Sequence, residues 1–171
     1  NVDALERMDG AQNLLRTLLQ RVIPRDLDPN FAGDPDLFTG ARDSLSFAAQ
    51  SPSAFGASGL ARFQLRVVGD GATQSLILSW QNAAGATARQ QQILIASARD
   101  IGLAYATRDQ NGVVSWTDNW IGQSGAPALV MVRASFPVGS RTKWPELIVR
   151  PRISRDPSCI YDPVSFGCRH G

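Results

Sequence analysis

The chain is poor in histidine: His170, the penultimate residue, is the only one among 171 residues. Nucleophilic catalysis of the Ser-His-Asp kind needs a histidine that an acidic residue holds beside the serine, and a histidine in a terminal tail is a poor candidate. The sequence also lacks the G-x-S-x-G elbow, the phosphate-binding P-loop and the H-E-x-x-H zinc motif. We therefore predict no catalytic residue, cofactor or metal site, no open pocket with converging polar groups, and no enzymatic activity.

Long apolar segments are absent as well. A stretch such as 126–132 is far shorter than the roughly 20 residues that a membrane-spanning helix needs. The formal net charge is +2 and the basic residues are scattered, so we do not expect nucleic acid as a partner. The length, with 43% hydrophobic and 19% charged residues, predicts one globular domain over residues 1–171. Neither an initiator methionine nor a signal peptide opens the sequence, so we expect a processed or trimmed chain.

Cysteine is scarce too. Cys159 and Cys168 are the two in the chain, and they lie close together in a tail that contains proline and glycine. We predict a disulfide between them, which in the chain-entropy model would stabilise the fold by roughly 2–3 kcal/mol and would persist in an oxidising compartment. Two free thiols, or half of a zinc site completed by further ligands, are the alternatives.

The first pattern that the sequence does contain is an amphipathic helix over residues 2–23, where apolar residues recur at three- and four-residue steps with polar residues between them. Pro24 lacks an N–H and clashes with the preceding turn, so we expect the helix to end near Val22 or Ile23. The apolar residues expected to pack on the rest of the fold are Leu5, Met8, Leu15, Leu19 and Val22.

Beyond a turn-rich loop at 24–36, nearly every segment has strand character. Phe63 and Leu65 alternate with polar residues, which predicts a half-buried antiparallel strand. Residues 69–71 and 110–112 are predicted hairpin turns, because glycine and asparagine tolerate positive φ. The predicted strands are 44–49, 61–68, 75–80, 91–96, 101–107, 113–116, 128–136 and 146–153. The expected fold is α+β, with a long N-terminal amphipathic helix packed on antiparallel β-sheets.

Several short motifs occur in an order that resembles one protein family. The helix runs through an arginine into a proline in Leu18-Leu19-Gln20-Arg21-Val22-Ile23-Pro24-Arg25. An F-x-G step and an L-x-F strand follow, as Phe38-Thr39-Gly40 and Leu45-Ser46-Phe47. The later motifs are Ile101-Gly102-Leu103-Ala104-Tyr105, Trp116-Thr117-Asp118-Asn119-Trp120 and Pro127-Ala128-Leu129-Val130-Met131-Val132. In order and spacing, from the helix to about Ile153, the chain resembles the J-type minor pseudopilins of bacterial type II secretion systems.

Two features depart from the pattern of that family. The chain reads Leu78-Ser79-Trp80 where the family usually shows L-x-R. It also continues after the last strand into the tail with the two cysteines, which resembles the disulfide-closed end of some type IV pilins. A minor pilin of a type IV adhesion or DNA-uptake pilus is therefore the nearest alternative.

The resemblance implies a type IV pilin-like fold and a non-enzymatic role in assembly. Members of the family carry a leader and an apolar first half of the helix that anchors in the inner membrane, so residues 2–23 would be the second half of that helix and the head would lie in the periplasm. The implied partners are minor pseudopilins of the I and K types, in a tip complex that initiates pseudopilus assembly and supports export of folded proteins. No small-molecule substrate is implied.

For contact with these partners we expect the polar face of the helix, with the loop 24–38 beside it. The interface residues that we predict on the helix are Asp9, Asn13, Arg16 and Gln20.

The loop from Asp26 to Asp36 is the best candidate for a metal site. Asp26, Asp28 and Asn30 repeat the alternate-residue oxygen spacing that begins a calcium loop. Because Phe31 stands where that motif needs glycine, we expect turn-forming carboxylates and leave calcium open.

Two tryptophans and four carboxylates suggest other functions. Trp116 and Trp120 could form the sugar-stacking platform of a carbohydrate-binding sandwich, although a core or interface position is the stronger expectation. The carboxylates available for glycoside hydrolysis are Asp100, Asp109, Asp118 and Glu146. Their spacing in the sequence does not bring two of them to the separation that this reaction requires.

Overall fold

The computed structural model describes residues 2–22, 38–55, 59–69, 71–82, 89–123, 125–151, 159–162 and 167–170. In these ranges the chain forms one α-helix, α1, followed by β-strands that all pair antiparallel. The prediction of one helix with antiparallel sheets is confirmed at this level.

The helix α1 spans Val2–Gln20 and ends earlier than predicted. The Arg21 N–H donates to the Leu18 carbonyl at 3.0 Å, which closes a tighter turn. Val22 then forms an antiparallel bridge with Ala49 of a neighbouring strand. The backbone after α1 thus pairs with a sheet instead of continuing the helix, a contact that hydrophobic periodicity does not report.

Five strands form sheet A in the order of the chain. They are β1 Phe38–Ala41, β2 Ser44–Gln50, β3 Leu60–Gly69, β4 Gln74–Asn82 and β5 Gln90–Ala98. A short 3-10 helix, Ser53–Phe55, follows β2. In β3 the side chains of Phe63 and Leu65 are fully buried and alternate with more exposed polar residues, as predicted.

Four strands form sheet B in the order β7-β6-β8-β9. They are β6 Asp100–Arg108, β7 Val114–Thr117, β8 Leu129–Ser135 and β9 Leu147–Val149. A separate hairpin joins β10 Cys159–Asp162 to β11 Gly167–His170.

The eight predicted strands correspond to β2 through β9. The largest error is in the last, predicted over 146–153, because β9 ends at Val149. Pro151, two residues later, has no N–H to offer a ladder. The short strand β1 and the hairpin of β10 and β11 were not predicted.

The core lies between the two sheets and α1. The helix contacts β2 and β5 of sheet A and β9 of sheet B, while β6 contacts β1 and β4. One cluster of buried apolar side chains connects these elements. Its largest fully buried members are Tyr105, Phe47, Phe63, Leu15, Leu18, Leu19, Leu45, Leu65, Leu76, Leu78, Ile95 and Leu103. The helix therefore belongs to the core of both sheets.

Candidate interaction surface

One side of α1 and the residue after its final turn are buried. Leu15, Leu18 and Leu19 have no exposed area, Val22 is 3% exposed, and Ala11 is 6% exposed. Full burial of an aliphatic side chain of this size contributes about 1.5–3 kcal/mol relative to leaving it in water. This side of the helix is held by the fold and is not available to a partner.

The predicted packing residues occupy different places on this side. Leu15, Leu19 and Val22 lie in the core, and the half-buried Met8 packs against it. The side chain of Leu5 lies outside the described part of the chain. Sequence reasoning missed Leu18, although its three-residue step from Leu15 was a usable signal.

The opposite side of α1 faces solvent. Asp9, Asn13 and Arg16 are exposed and Gln20 is half-buried. Within the described ranges none of these four side chains forms a hydrogen bond or ion pair. The exposed Gly10 lies among them, with open space where a Cβ would be. The structure thus leaves a polar helix face, which we define as Asp9, Gly10, Asn13, Arg16 and Gln20, uncovered by the described residues.

A side-chain hydrogen bond helps to fix the rotation of α1. The Gln12 amide Nε2 donates to the Pro145 carbonyl at 2.7 Å, just before β9. This contact spans most of the sequence and joins the helix to sheet B, while Val22 joins the end of the helical segment to sheet A. The direction of the polar helix face is therefore set by both sheets.

Three motifs behind the family resemblance meet where β1 approaches β6. Phe38 is 5% exposed, and its ring centroid lies 6.2 Å from those of both Phe47 and Tyr105. A Cβ at Gly40 would overlap the Tyr105 hydroxyl. The glycine of the F-x-G step thus makes room for the tyrosine of the later strand, and these motif residues stabilise the joint between the sheets.

The Tyr105 hydroxyl is bonded to the turn between β1 and β2. Its oxygen lies 2.9 Å from the Ala41 carbonyl oxygen and 3.0 Å from that of Ser44, so it can donate to either one. Burial, with a smaller contribution from the negative charge of Asp43, raises the pKa of Tyr105 well above its usual value. This hydroxyl is therefore a structural donor that keeps its proton.

The two tryptophans of the sequence motif have different environments. Trp120 is 7% exposed, exchanges backbone hydrogen bonds with Gly40 at 2.8 and 3.0 Å, and donates from its indole Nε1 to the Gly125 carbonyl at 2.8 Å. Trp116 is 41% exposed. A sugar platform made of both rings is excluded because one ring is buried in the joint between the sheets.

The face of sheet B that points away from the core carries an apolar patch. Residues directly opposite each other in neighbouring strands share a face, and the register places Trp116, Ala106 and Leu129 in one row and Ala104, Met131 and Ile148 in the next. Within this patch, Trp116 is 41% exposed and Ile148 is 40% exposed. The patch is separate from the polar helix face.

Two clefts open beside sheet B. One, of about 390 Å³, includes Arg108, Asp109 and Arg150 in its lining. The other, of about 510 Å³, includes Arg42, Asp100, Arg133, Trp144 and Glu146. Both clefts are open to solvent and bring together charged residues that are distant in sequence. Neither is an enclosed pocket, so the expected absence of a pocket with converging polar groups stays a prediction.

Two of the candidate carboxylates have structural partners. Asp100 forms an exposed ion pair with Arg42 at 3.3 Å. Asp109 accepts hydrogen bonds from the backbone N–H groups of Asn111 and Val113 at 2.9 and 2.8 Å, which holds the predicted turn after β6. Asp118 and Glu146 are exposed. Only Asp100 and Glu146 line the same cleft.

The metal and disulfide predictions concern residues outside α1 and the two large sheets. Within the described ranges, no group of three or more His, Cys, Asp or Glu residues could hold a metal ion. The loop from Asp26 to Asp36 lies outside those ranges, so calcium stays open there. The register of β10 and β11 pairs Cys159 with His170 and Tyr161 with Cys168, which places the cysteines at diagonal positions of one hairpin. The disulfide itself stays a prediction.

In the part of the chain that is described, no helix has the length and apolar character to span a bilayer.

The sequence matches no protein-family model and no curated protein. The structure is similar to a chain of the crystal structure of the GspK-GspI-GspJ complex from the type 2 secretion system of enterotoxigenic Escherichia coli, with a TM-score of 0.60. The two chains share a fold. Their sequences are 20% identical, and the alignment covers 89% of this chain and 99% of the other.

Proposed function

We propose that this chain is the periplasmic head of a J-type minor pseudopilin, and that it acts by binding the I- and K-type pseudopilins in a tip complex of the type II secretion pseudopilus. The observation that carries the proposal is the fold likeness to a subunit of a GspK-GspI-GspJ complex, which extends over 99% of that subunit. The order of short motifs in this sequence supports the same family independently.

The position of α1 suits such a role. A filament subunit needs an N-terminal helix, its stem, that packs firmly on the head domain on one side and is accessible to neighbouring subunits on the other. Here Leu15, Leu18 and Leu19 lock the helix into the core, and the polar helix face stays open. In the proposed full-length protein, an apolar half of the helix would precede Val2 and anchor in the inner membrane.

The packing of α1 on the two sheets of the head also suggests how force would pass through the subunit. Because α1 packs on strands of both sheets, a displacement of the stem carries the head with it. Contacts made by the head with sibling subunits would therefore act on the membrane-anchored stem, which would help to draw subunits out of the bilayer and initiate assembly. In this proposal the chain performs no chemistry, and a cytoplasmic ATPase supplies the energy.

The first test reverses one charge on the polar helix face. Arg16→Glu should weaken co-purification with an I-type partner, since charged groups at the rim of an interface select and orient the partner. The matched control is Arg66→Glu, an exposed arginine of β3 in sheet A. Binding unchanged by Arg16→Glu would remove the helix face from the proposal, and equal weakening by both variants would show a non-specific effect of charge.

A minor pilin of a type IV pilus is the second candidate, favoured by the tail with Cys159 and Cys168. The coding sequence upstream of Asn1 and its neighbouring genes distinguish the two. A leader ending in glycine, followed by an apolar run with glutamate at its fifth position, would place the chain in the wider pilin class. Secretion genes beside it would support the pseudopilin, and pilus genes would support the pilin.

A further inference from the structure

The strand β5 is an edge of sheet A with an unusual composition. It pairs with β4 alone among the described strands, and Gln90–Ala98 contains neither a charged residue nor a proline. Proteins normally protect such edges with charges, prolines, bulges or a cover, because unpaired backbone N–H and C=O groups recruit another strand. Arg89 and Arg99 lie just outside the strand.

Backbone irregularities, which hinder pairing with a further strand, occur only in the C-terminal half of β5. The register shifts twice where Gln74, Leu76 and Ile77 of β4 meet Ala98, Ile95 and Ile93 of β5. Ser97, in the same half, has a left-handed φ of 56°.

The other half of β5 is regular. From Gln90 to Ile93 each residue faces one residue of β4, from Trp80 back to Ile77. All four β5 residues are exposed, and Ile93 is 61% exposed. This half offers a regularly paired, uncharged edge that a further strand can extend.

We propose that this edge pairs antiparallel with the same edge of a second copy of the chain, about a two-fold axis at Gln91. The two five-stranded sheets would then form one continuous sheet. An interface of this kind is isologous, so each segment must be complementary to itself. The run Gln90, Gln91 and Gln92 meets this condition, because every position places one glutamine amide opposite another.

The same register also gives the exposed Ile93 a residue to pack against in the second copy. Centred on Gln91, it places Arg89 of one copy opposite Ile93 of the other. Directly opposite residues share a face, so the aliphatic stem of Arg89 can cover Ile93 while its guanidinium stays in water. No like charges meet, since the nearest cation of each copy faces an apolar residue. This self-association goes beyond the proposed function and does not rest on it.

The experiment is sedimentation analysis of the whole chain over a wide range of concentration, with hydrogen exchange at both ends of that range. Unsubstituted protein should form dimers, and the backbone amides of 90–93 should become protected as they form. Ile93→Lys should abolish the dimer, because it places a second cation opposite Arg89. Ile93→Glu should retain it, because a carboxylate there can pair with the same arginine.

The control is Val68→Lys, which replaces a 37%-exposed apolar residue of β3 and should leave the dimer intact. A chain that stays monomeric over the whole range would overturn the proposal. A dimer that survives Ile93→Lys, or that is lost instead with Trp116→Lys on the outer patch of sheet B, would overturn it as well. The co-purification test of Arg16 is read separately, so either proposal can fail alone.

Discussion

At the residue scale, the joint between Gly40 and Tyr105 explains why two short motifs far apart in the sequence occur together. Gly40 exchanges backbone hydrogen bonds with Trp120 and leaves room for the tyrosine ring. The hydroxyl of that ring donates to the turn after β1. A side chain at Gly40 would displace the tyrosine, so these residues depend on each other through volume and hydrogen bonding.

The raised pKa of Tyr105 predicts a loss of stability at alkaline pH. The folded chain keeps this phenolic proton at a pH where the unfolded chain loses it, so the folded state binds more protons and the free energy of unfolding falls as pH rises above about 10. Below that pH the contribution is fully present. Urea denaturation at a series of pH values should show a shallower alkaline decline for Tyr105→Phe than for the unsubstituted chain.

The same variant gives a second readout at neutral pH. Tyr105→Phe removes a buried donor and should cost about 0.5–1.5 kcal/mol, the usual net contribution of a hydrogen bond. If the free energy of unfolding falls equally steeply at alkaline pH in the unsubstituted chain and in Tyr105→Phe, groups other than Tyr105 cause that fall.

At the element scale, α1 contains Gly10 at a position where no contact among the described residues requires a residue without a Cβ. Gly10 lies inside the helix, is exposed, and has no neighbour within 4 Å of the place where a Cβ would be. Glycine in a helix interior costs roughly 0.5–1 kcal/mol relative to alanine, because it loses more backbone freedom on folding.

We therefore expect Gly10→Ala to raise the free energy of unfolding by about 0.5–1 kcal/mol, measured by urea denaturation of the isolated head. The added methyl group points into open space, so no clash offsets the gain. A loss of stability would contradict the description of this helix face as uncovered. Under the proposed function, weaker partner binding by this more stable variant would show that a neighbouring subunit comes close to the helix backbone.

At the scale of the whole molecule, the helix lies against both sheets, which also meet each other where β6 contacts β1 and β4. It packs on β2, β5 and β9, so its leucines are part of the core of both sheets. Sheets joined in this way should unfold as one cooperative unit.

Leu15→Ala tests this coupling. It should lower the free energy of unfolding by about 2–5 kcal/mol, as expected for removing a fully buried leucine side chain. Hydrogen exchange should speed up to the same extent in β3 of sheet A and in β8 of sheet B. The exposed Val68→Ala is the control, and acceleration confined to one sheet would show that the sheets unfold separately.

The polar helix face shows how far sequence reasoning reached. Amphipathic spacing placed Asp9, Asn13 and Arg16 on the exposed side, because the period of a helix is a local property. It did not reveal that α1 stops before Val22, because the bridge to Ala49 depends on where β2 lies. The cleft around Arg42 and Asp100 was missed for the same reason.

By itself the sequence determined the helix, most of the strands and the turn after β6, since each depends on side-chain periodicity or on local backbone preferences. It also determined the order of motifs that resembles the J-type pseudopilins. Only the tertiary structure decided that Trp120 is buried while Trp116 is exposed, that Gly40 makes room for Tyr105, and that β5 is an edge strand among the strands that the structure describes. These properties belong to pairs of distant segments, and they arise only once the sheets and the helix have packed together.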